Sequence, residues 1–142
     1  MFGFGGAKRD PNKPLVLHID DEKDLRLMIE AALKPLALEI ISAADGPSGI
    51  ALAEKEKPQL ILLDIRMPGM DGFDACRIMK EKPALKAVPI LMMTALSQMK
   101  DVERAVAQGA DGYILKPVEM PKLRQKVAEI LKLPNWQPPS KP

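Results

Sequence analysis

The stretch Leu60-Ile61-Leu62-Leu63-Asp64 decides the fold. Its apolar residues run without polar alternation, which describes a strand covered on both faces, and a carboxylate stands where that strand emerges. Outward from it, similar runs occupy Leu15 to Ile19, Leu38 to Ser42, Pro89 to Met93 and Gly112 to Leu115. Amphipathic segments separate them. Leu25, Met28, Ile29, Ala32 and Leu33 form one unbroken helical stripe. Leu123, Val127, Ile130 and Leu131 repeat that spacing near the end, and Val102, Ala105 and Val106 give a shorter version. The segments 47–56 and 72–81 carry weaker stripes; in the second, Phe73, Cys76 and Met79 share a face, which makes Cys76 a small core residue. Asp45 and Asp71 are placed to cap helix N-termini, and Gly109 to end a helix in the left-handed conformation. Strands alternating with helices predict an α/β fold on a five-stranded parallel sheet.

The 142 residues suit one domain rather than two. We place it at 14–133, after a flexible Gly-containing arm at 1–13 and before a tail with four prolines between Pro134 and Pro142. Phe2 and Phe4 in the arm and Trp136 in the tail are the aromatic residues available there for docking. With 21 basic and 19 acidic side chains the net charge is +2, too near neutral for a domain built to neutralise nucleic-acid phosphates. Nowhere do about 18 consecutive apolar residues occur, so no membrane helix is expected. The N-terminus lacks the layout of a secretory signal, which points to a cytoplasmic location. One cysteine and one histidine exclude an intrachain disulfide and a Cys/His zinc site. His18 lies in an apolar run and reads as core packing.

In an open parallel sheet, ligands bind beyond the carboxyl ends of the strands. Those ends carry Asp20-Asp21, Asp64, Thr94 and Lys116. Taken singly, each has an ordinary explanation as a helix cap, a strand end or a solvated charge. Together they describe a site. Carboxylates converging in one crevice repel unless a cation neutralises them, and their hard oxygens suit Mg²⁺. A lysine and a hydroxyl opposite would grip an anion, a layout for phosphoryl transfer with a carboxylate as acceptor. Asp64 is favoured as that acceptor because the central strand holds its backbone rigidly.

Four segments carry a family resemblance: His18-Ile19-Asp20-Asp21-Glu22, Leu62-Leu63-Asp64-Ile65-Arg66-Met67-Pro68-Gly69-Met70-Asp71-Gly72, Met93-Thr94-Ala95 and Tyr113-Ile114-Leu115-Lys116-Pro117. In order and separation they resemble the receiver domain of bacterial two-component response regulators, in the manner of single-domain chemotaxis regulators. The likeness spans residues 14–132. It implies a flavodoxin-like doubly wound (βα)5 fold with strand order 2-1-3-4-5. It further implies that Asp64 takes a phosphoryl group from the phosphohistidine of a sensor histidine kinase or a histidine phosphotransfer protein. By the same resemblance, Asp20, Asp21, Asp64 and the backbone carbonyl of Arg66 would hold Mg²⁺ or Mn²⁺. Lys116, joined to Pro117 by a cis bond, would pair with the phosphoryl oxygens. Thr94 would hydrogen-bond the phosphoryl group, and Tyr113 would follow it inward as the switch, altering the surface of the fourth helix, fifth strand and fifth helix. Arg66 and Leu96 would flank the attacking water and tune dephosphorylation.

The expected partners are the phosphodonor and a downstream protein target, without direct nucleic-acid binding or membrane insertion. Lys23, Arg26 and Glu30 on the first helix would carry partner specificity. The oligomeric expectation is a monomer or a phosphorylation-dependent homodimer. Only ten residues follow Lys132, so a stand-alone regulator acting by contact is expected, with a receiver excised from a larger protein as the alternative. An aspartate-nucleophile phosphatase of the haloacid dehalogenase type competes less well. It needs an acid two residues after the nucleophile, where this sequence has Arg66.

Overall fold

The computed structural model describes residues 9–95 and 99–134, and of Met99 the backbone only. Among these, five strands alternate with five helices: β1 (Leu15–Ile19), α1 (Lys23–Leu33), β2 (Glu39–Ala43), α2 (Gly46–Glu56), β3 (Leu60–Asp64), α3 (Gly72–Glu81), β4 (Ile90–Ala95), α4 (Met99–Ala107), β5 (Gly112–Lys116) and α5 (Met120–Leu131). All strand pairs are parallel and the order is β2-β1-β3-β4-β5. This is the flavodoxin-like (βα)5 arrangement that the family resemblance implied.

Burial follows the apolar runs. Every residue of β1 and β3 is buried, whereas the edge strands β2 and β5 are mixed. On one face of the sheet Leu17, Ile19, Ile61, Leu63 and Met92 pack with Ile50, Phe73, Cys76 and Met79 from α2 and α3, and with Ala105 from α4. On the other face Val16, Leu60, Leu62, Leu91 and Met93 meet Ile29 and Leu33 of α1 and Leu123 and Val127 of α5. Each fully buried aliphatic side chain contributes roughly 1.5–3 kcal/mol, so the central strands anchor both layers.

Helix ends follow their expected chemistry. The Asp45 carboxylate accepts from the Ser48 N–H at 2.8 Å, and Asp71 accepts from the Asp74 N–H at 3.0 Å. Gly109 takes φ +100° just beyond α4, where a side chain would be strained. Cys76 is fully buried, and burial pushes its thiol up to about 11.

Several expectations need correction. Met28 and Val106, assigned to packed stripes, are 55% and 57% exposed. The faces that meet the sheet are narrower than the spacing suggested: α1 docks through Ile29, Ala32 and Leu33, and α4 through Val102 and Ala105. In the described part of the N-terminal arm the chain turns at residues 11–12, and the Lys13 N–H donates to the Asp10 carbonyl at 3.1 Å. The Asp10 N–H also donates to Glu39 at 3.3 Å, tying that turn to β2. Phe2, Phe4, Leu96 and Trp136 lie outside the described residues.

Candidate functional site

Parallel strands deliver their C-terminal residues to one edge of the sheet, and Asp20, Asp21, Asp64 and Lys116 meet there. Asp20, one residue past β1, is fully buried, and its Oδ1 accepts from the Glu22 N–H at 2.9 Å. Its backbone is pinned as well: the N–H donates to the Ala43 carbonyl at 3.0 Å, and the carbonyl accepts from Arg26 Nη1 at 2.7 Å. Asp21 is exposed. Asp64, the last residue of β3, is 2% exposed. Oxygens of Asp20, Asp21 and Asp64 lie within 4.8 Å of one another. Opposite them the Lys116 ammonium stands 3.0 Å from Asp64 Oδ1, 3.5 Å from Glu22 Oε1 and 3.9 Å from Asp20 Oδ2.

The electrostatics record a surplus of negative charge. Burial, and then the neighbouring Asp20, push the Asp64 carboxyl up to about 6 against the pull of Lys116. At Asp20 burial acts in the same sense, but contacts from His18, the Glu22 N–H and Lys116 outweigh it and hold the group below the usual carboxylate range. Burial works against the charge on Lys116, yet its pairing with Asp64 and Asp20 raises it above an ordinary lysine. Clustered hard oxygens with unneutralised charge are what a divalent cation such as Mg²⁺ binds, and the residues present fit one.

The loop after β3 is shaped by close backbone approach. The Gly72 N–H donates to the Ile65 carbonyl at 2.8 Å. A Cβ at Gly72 would collide with the Asp64 carbonyl oxygen and lie 2.7 Å from the Ile65 Cα, so only glycine fits. Gly69 provides the left-handed turn at φ +76°. Arg66, two residues past Asp64, turns its side chain to α4, where Nη2 meets Asp101 Oδ2 at 2.6 Å. The Lys116–Pro117 bond is cis, as the resemblance implied.

Thr94 is buried near the end of β4, with its hydroxyl 3.4 Å from the Ala95 carbonyl. Tyr113 is half-buried on β5; its carbonyl accepts from Lys126 Nζ at 2.7 Å, and that ammonium lies 5.2 Å from the ring centroid. Three participants escaped the sequence reading. Glu22 shares Lys116, Asp101 holds Arg66, and His18 reaches Asp20 with Nε2 3.4 Å from Oδ2. The acidic motif contained Glu22, but contacts over 35 residues, as between Arg66 and Asp101, leave no local signal.

With fold and site in view, the comparisons with known proteins are specific. The family model described as response regulator receiver domain matches residues 16–128. The chain is 36% identical over 120 residues to "Probable transcriptional regulator ycf27" of Porphyridium aerugineum, covering 84% of this chain and 49% of that protein. It is 39% identical over 105 residues to response regulator PleD of Caulobacter vibrioides, covering 73% of this chain and 23% of that protein. The chain thus spans about half the length of the first relative and about a quarter of the second. The solved structure of chemotaxis response regulator CheY4 of Vibrio cholerae superposes with a TM-score of 0.78 at 30% identity, covering 83% of this chain and 98% of that one. The chain belongs to the response regulator receiver domain family, whose members are phosphoacceptor switches of two-component signalling. Among the described residues no helix is long and apolar enough to cross a membrane.

Proposed function

We propose that this receiver accepts a phosphoryl group on Asp64 from a phosphohistidine of a kinase or phosphotransfer protein, in a reaction that needs Mg²⁺ or Mn²⁺. The observation that carries this reading is Asp64 itself: a buried carboxylate at the end of the central strand, facing Lys116 on one side and two further carboxylates on the other. In the transfer, an Asp64 carboxylate oxygen forms a bond to phosphorus while the phosphorus–nitrogen bond of the donor breaks, its electron pair staying on the imidazole. Asp20, Asp21 and Asp64, with the Arg66 carbonyl, would hold the cation. When bound, it neutralises charge on the phosphoryl oxygens and on the acidic cluster.

The chain's own residues supply the rest. Lys116, fixed by Asp64 and Glu22, presents a preorganised positive charge to the incoming phosphoryl group, where charge stabilisation is strongest away from bulk water. Among the described residues the Thr94 hydroxyl meets the adjacent Ala95 carbonyl, at 3.4 Å, and it is available to turn toward the phosphoryl group. The added ~1.5–2 negative charges then draw Thr94 and Tyr113 and change the α4–β5–α5 surface that a protein target reads. Arg66, engaged with Asp101, offers no acid for leaving-group protonation, which supports a switch over a phosphatase.

Labelling with phosphoramidate tests this. Mg²⁺-dependent incorporation of one hydroxylamine-sensitive phosphate, mapped to Asp64 and abolished in Asp20→Asn, is expected. Multiple turnovers on small phosphate esters would overturn it.

A further inference from the structure

His18 is the chain's one histidine and stands on β1 between Val16 and Asp20, on the same face of the strand. Its register neighbours are Ser42 on β2 and Leu62 on β3, and its side chain is fully buried. Neither ring nitrogen has a formed hydrogen bond, and the same is true of Asp20 Oδ2, which lies 3.4 Å from Nε2. Two such nitrogens in a core cost stability that an aliphatic residue would not. The packing of β1 therefore does not account for an imidazole at this position.

The geometry of Asp20 does. Its Oδ1 is already held by the Glu22 N–H, so its orientation depends on what meets Oδ2. Oδ2 also faces the Lys116 ammonium at 3.9 Å, on a long side chain that serves Asp64 and Glu22 as well. His18, by contrast, is short, ringed and immobilised in the sheet.

We infer that His18 is a positioning residue for the cation site: its Nε2–H donates to Asp20 Oδ2 and fixes the carboxylate plane that the divalent cation meets. The inference rests on the reading that Asp20, Asp21 and Asp64 hold that cation. At 3.4 Å the contact is long for a hydrogen bond, and on this inference it shortens into one when the Asp20 carboxylate is fixed against the cation. His18 touches neither cation nor phosphoryl group; it acts through Asp20.

Two measurements on the intact chain test this. Selective ¹⁵N-histidine labelling reports on one residue, because the chain holds one histidine. With saturating Mg²⁺ the proton is expected on Nε2 and protected from exchange; a proton on Nδ1 with Nε2 bare overturns the inference. Calorimetric titration with Mg²⁺ then compares wild type with His18→Leu and His18→Gln. The leucine variant is expected to bind roughly 10–100-fold more weakly, with an unfolding midpoint in metal-free buffer no lower than wild type, and the glutamine N–H to restore part of the loss. Leucine-variant affinity within about twofold of wild type would overturn the role of His18 and leave the cation site standing. Failure of the wild type to bind Mg²⁺ would overturn both. Should His18→Leu not fold, the tautomer and the glutamine variant decide: Nε2–H with retained affinity supports the inference, Nδ1–H removes it.

Discussion

Lys116 Nζ lies 3.0 Å from Asp64 Oδ1, although their strands are not neighbours in the sheet: β4 runs between them. The lysine therefore reaches across the end of β4, past Thr94 and Ala95, to neutralise a carboxylate two strands away. One cation is shared among Asp64, Glu22 and Asp20, which is too little positive charge for the cluster.

Replacing Lys116 with methionine removes the positive charge opposite the phosphoacceptor while keeping the aliphatic stem. Loss of one preorganised electrostatic partner in a water-poor site typically costs about 10²–10³ in rate. The labelling rate with acetyl phosphate is expected to fall by about 10²-fold at matched Mg²⁺ occupancy. A change below about threefold would show that Lys116 only balances charge at rest.

Asp64 makes the metal-free fold sensitive to pH in a direction opposite to an ordinary ion-paired carboxylate. Its folded value of about 6 lies above the unfolded value of 3.8, so the native state binds the proton more tightly. Stability is therefore highest below the unfolded value, falls as pH rises through that window, and carries the full penalty above it. The shift corresponds to about 3 kcal/mol. Asp64→Asn should recover much of this at about pH 7.5 and under about 1 kcal/mol at about pH 4, measured by urea unfolding without metal. Equal effects at both pH values would refute the assignment.

The same proton competes with the cation. Below about pH 6 the apparent Mg²⁺ affinity should weaken progressively, approaching tenfold per pH unit, because Asp64 must lose its proton to become a ligand. Calorimetry across about pH 5 to 8 reads this directly. A flat profile would place Asp64 outside the ligand set.

Gly72→Ala and Gly69→Ala separate two reasons for glycine in the loop after β3. At Gly72 the new methyl would meet the backbone of Asp64 and Ile65, which cannot swing aside as a side chain could. A loss of about 2–3 kcal/mol or more, with weakened Mg²⁺ binding, is expected there. At Gly69 nothing lies within 4 Å, so only the φ of +76° is penalised, at about 1 kcal/mol. Equal losses at the two positions would contradict this account.

Arg66 links the site to α4 through Asp101, whose side chain is largely buried while that of Arg66 is mostly exposed. Such a pair adds about 0.2–1 kcal/mol to stability, so its effect should be sought in kinetics. Arg66→Ala is expected to change the dephosphorylation rate several-fold, and Asp101→Asn to move it in the same direction. Unchanged rates in both would remove the role.

The strands were legible because their apolar runs are continuous, but the sequence placed their ends too early. Asp64, Thr94 and Lys116 are polar and looked like the residues after a strand, yet the sheet continues through them. The Ile65 N–H still donates to the Met93 carbonyl at 3.2 Å. This continuation holds the site residues on the rigid sheet rather than on loops. β2 was shifted by one residue, because Leu38 is buried in the approach to the strand. Asp20, Asp21 and Asp64 come together as their positions at strand ends required, and Lys116 joins them. What stayed hidden depended on three dimensions: His18 was apolar by context until its ring met Asp20, and Met28 fit a helical stripe wider than the face that the sheet covers.

The most direct test is intact-mass analysis after incubation with acetyl phosphate and Mg²⁺, on wild type and Asp64→Asn side by side. The account predicts one hydroxylamine-labile adduct of ~80 Da on the wild type, absent without Mg²⁺ and absent from the variant. An adduct of the same mass and lability on Asp64→Asn, or none on a wild type shown to bind Mg²⁺, would contradict it.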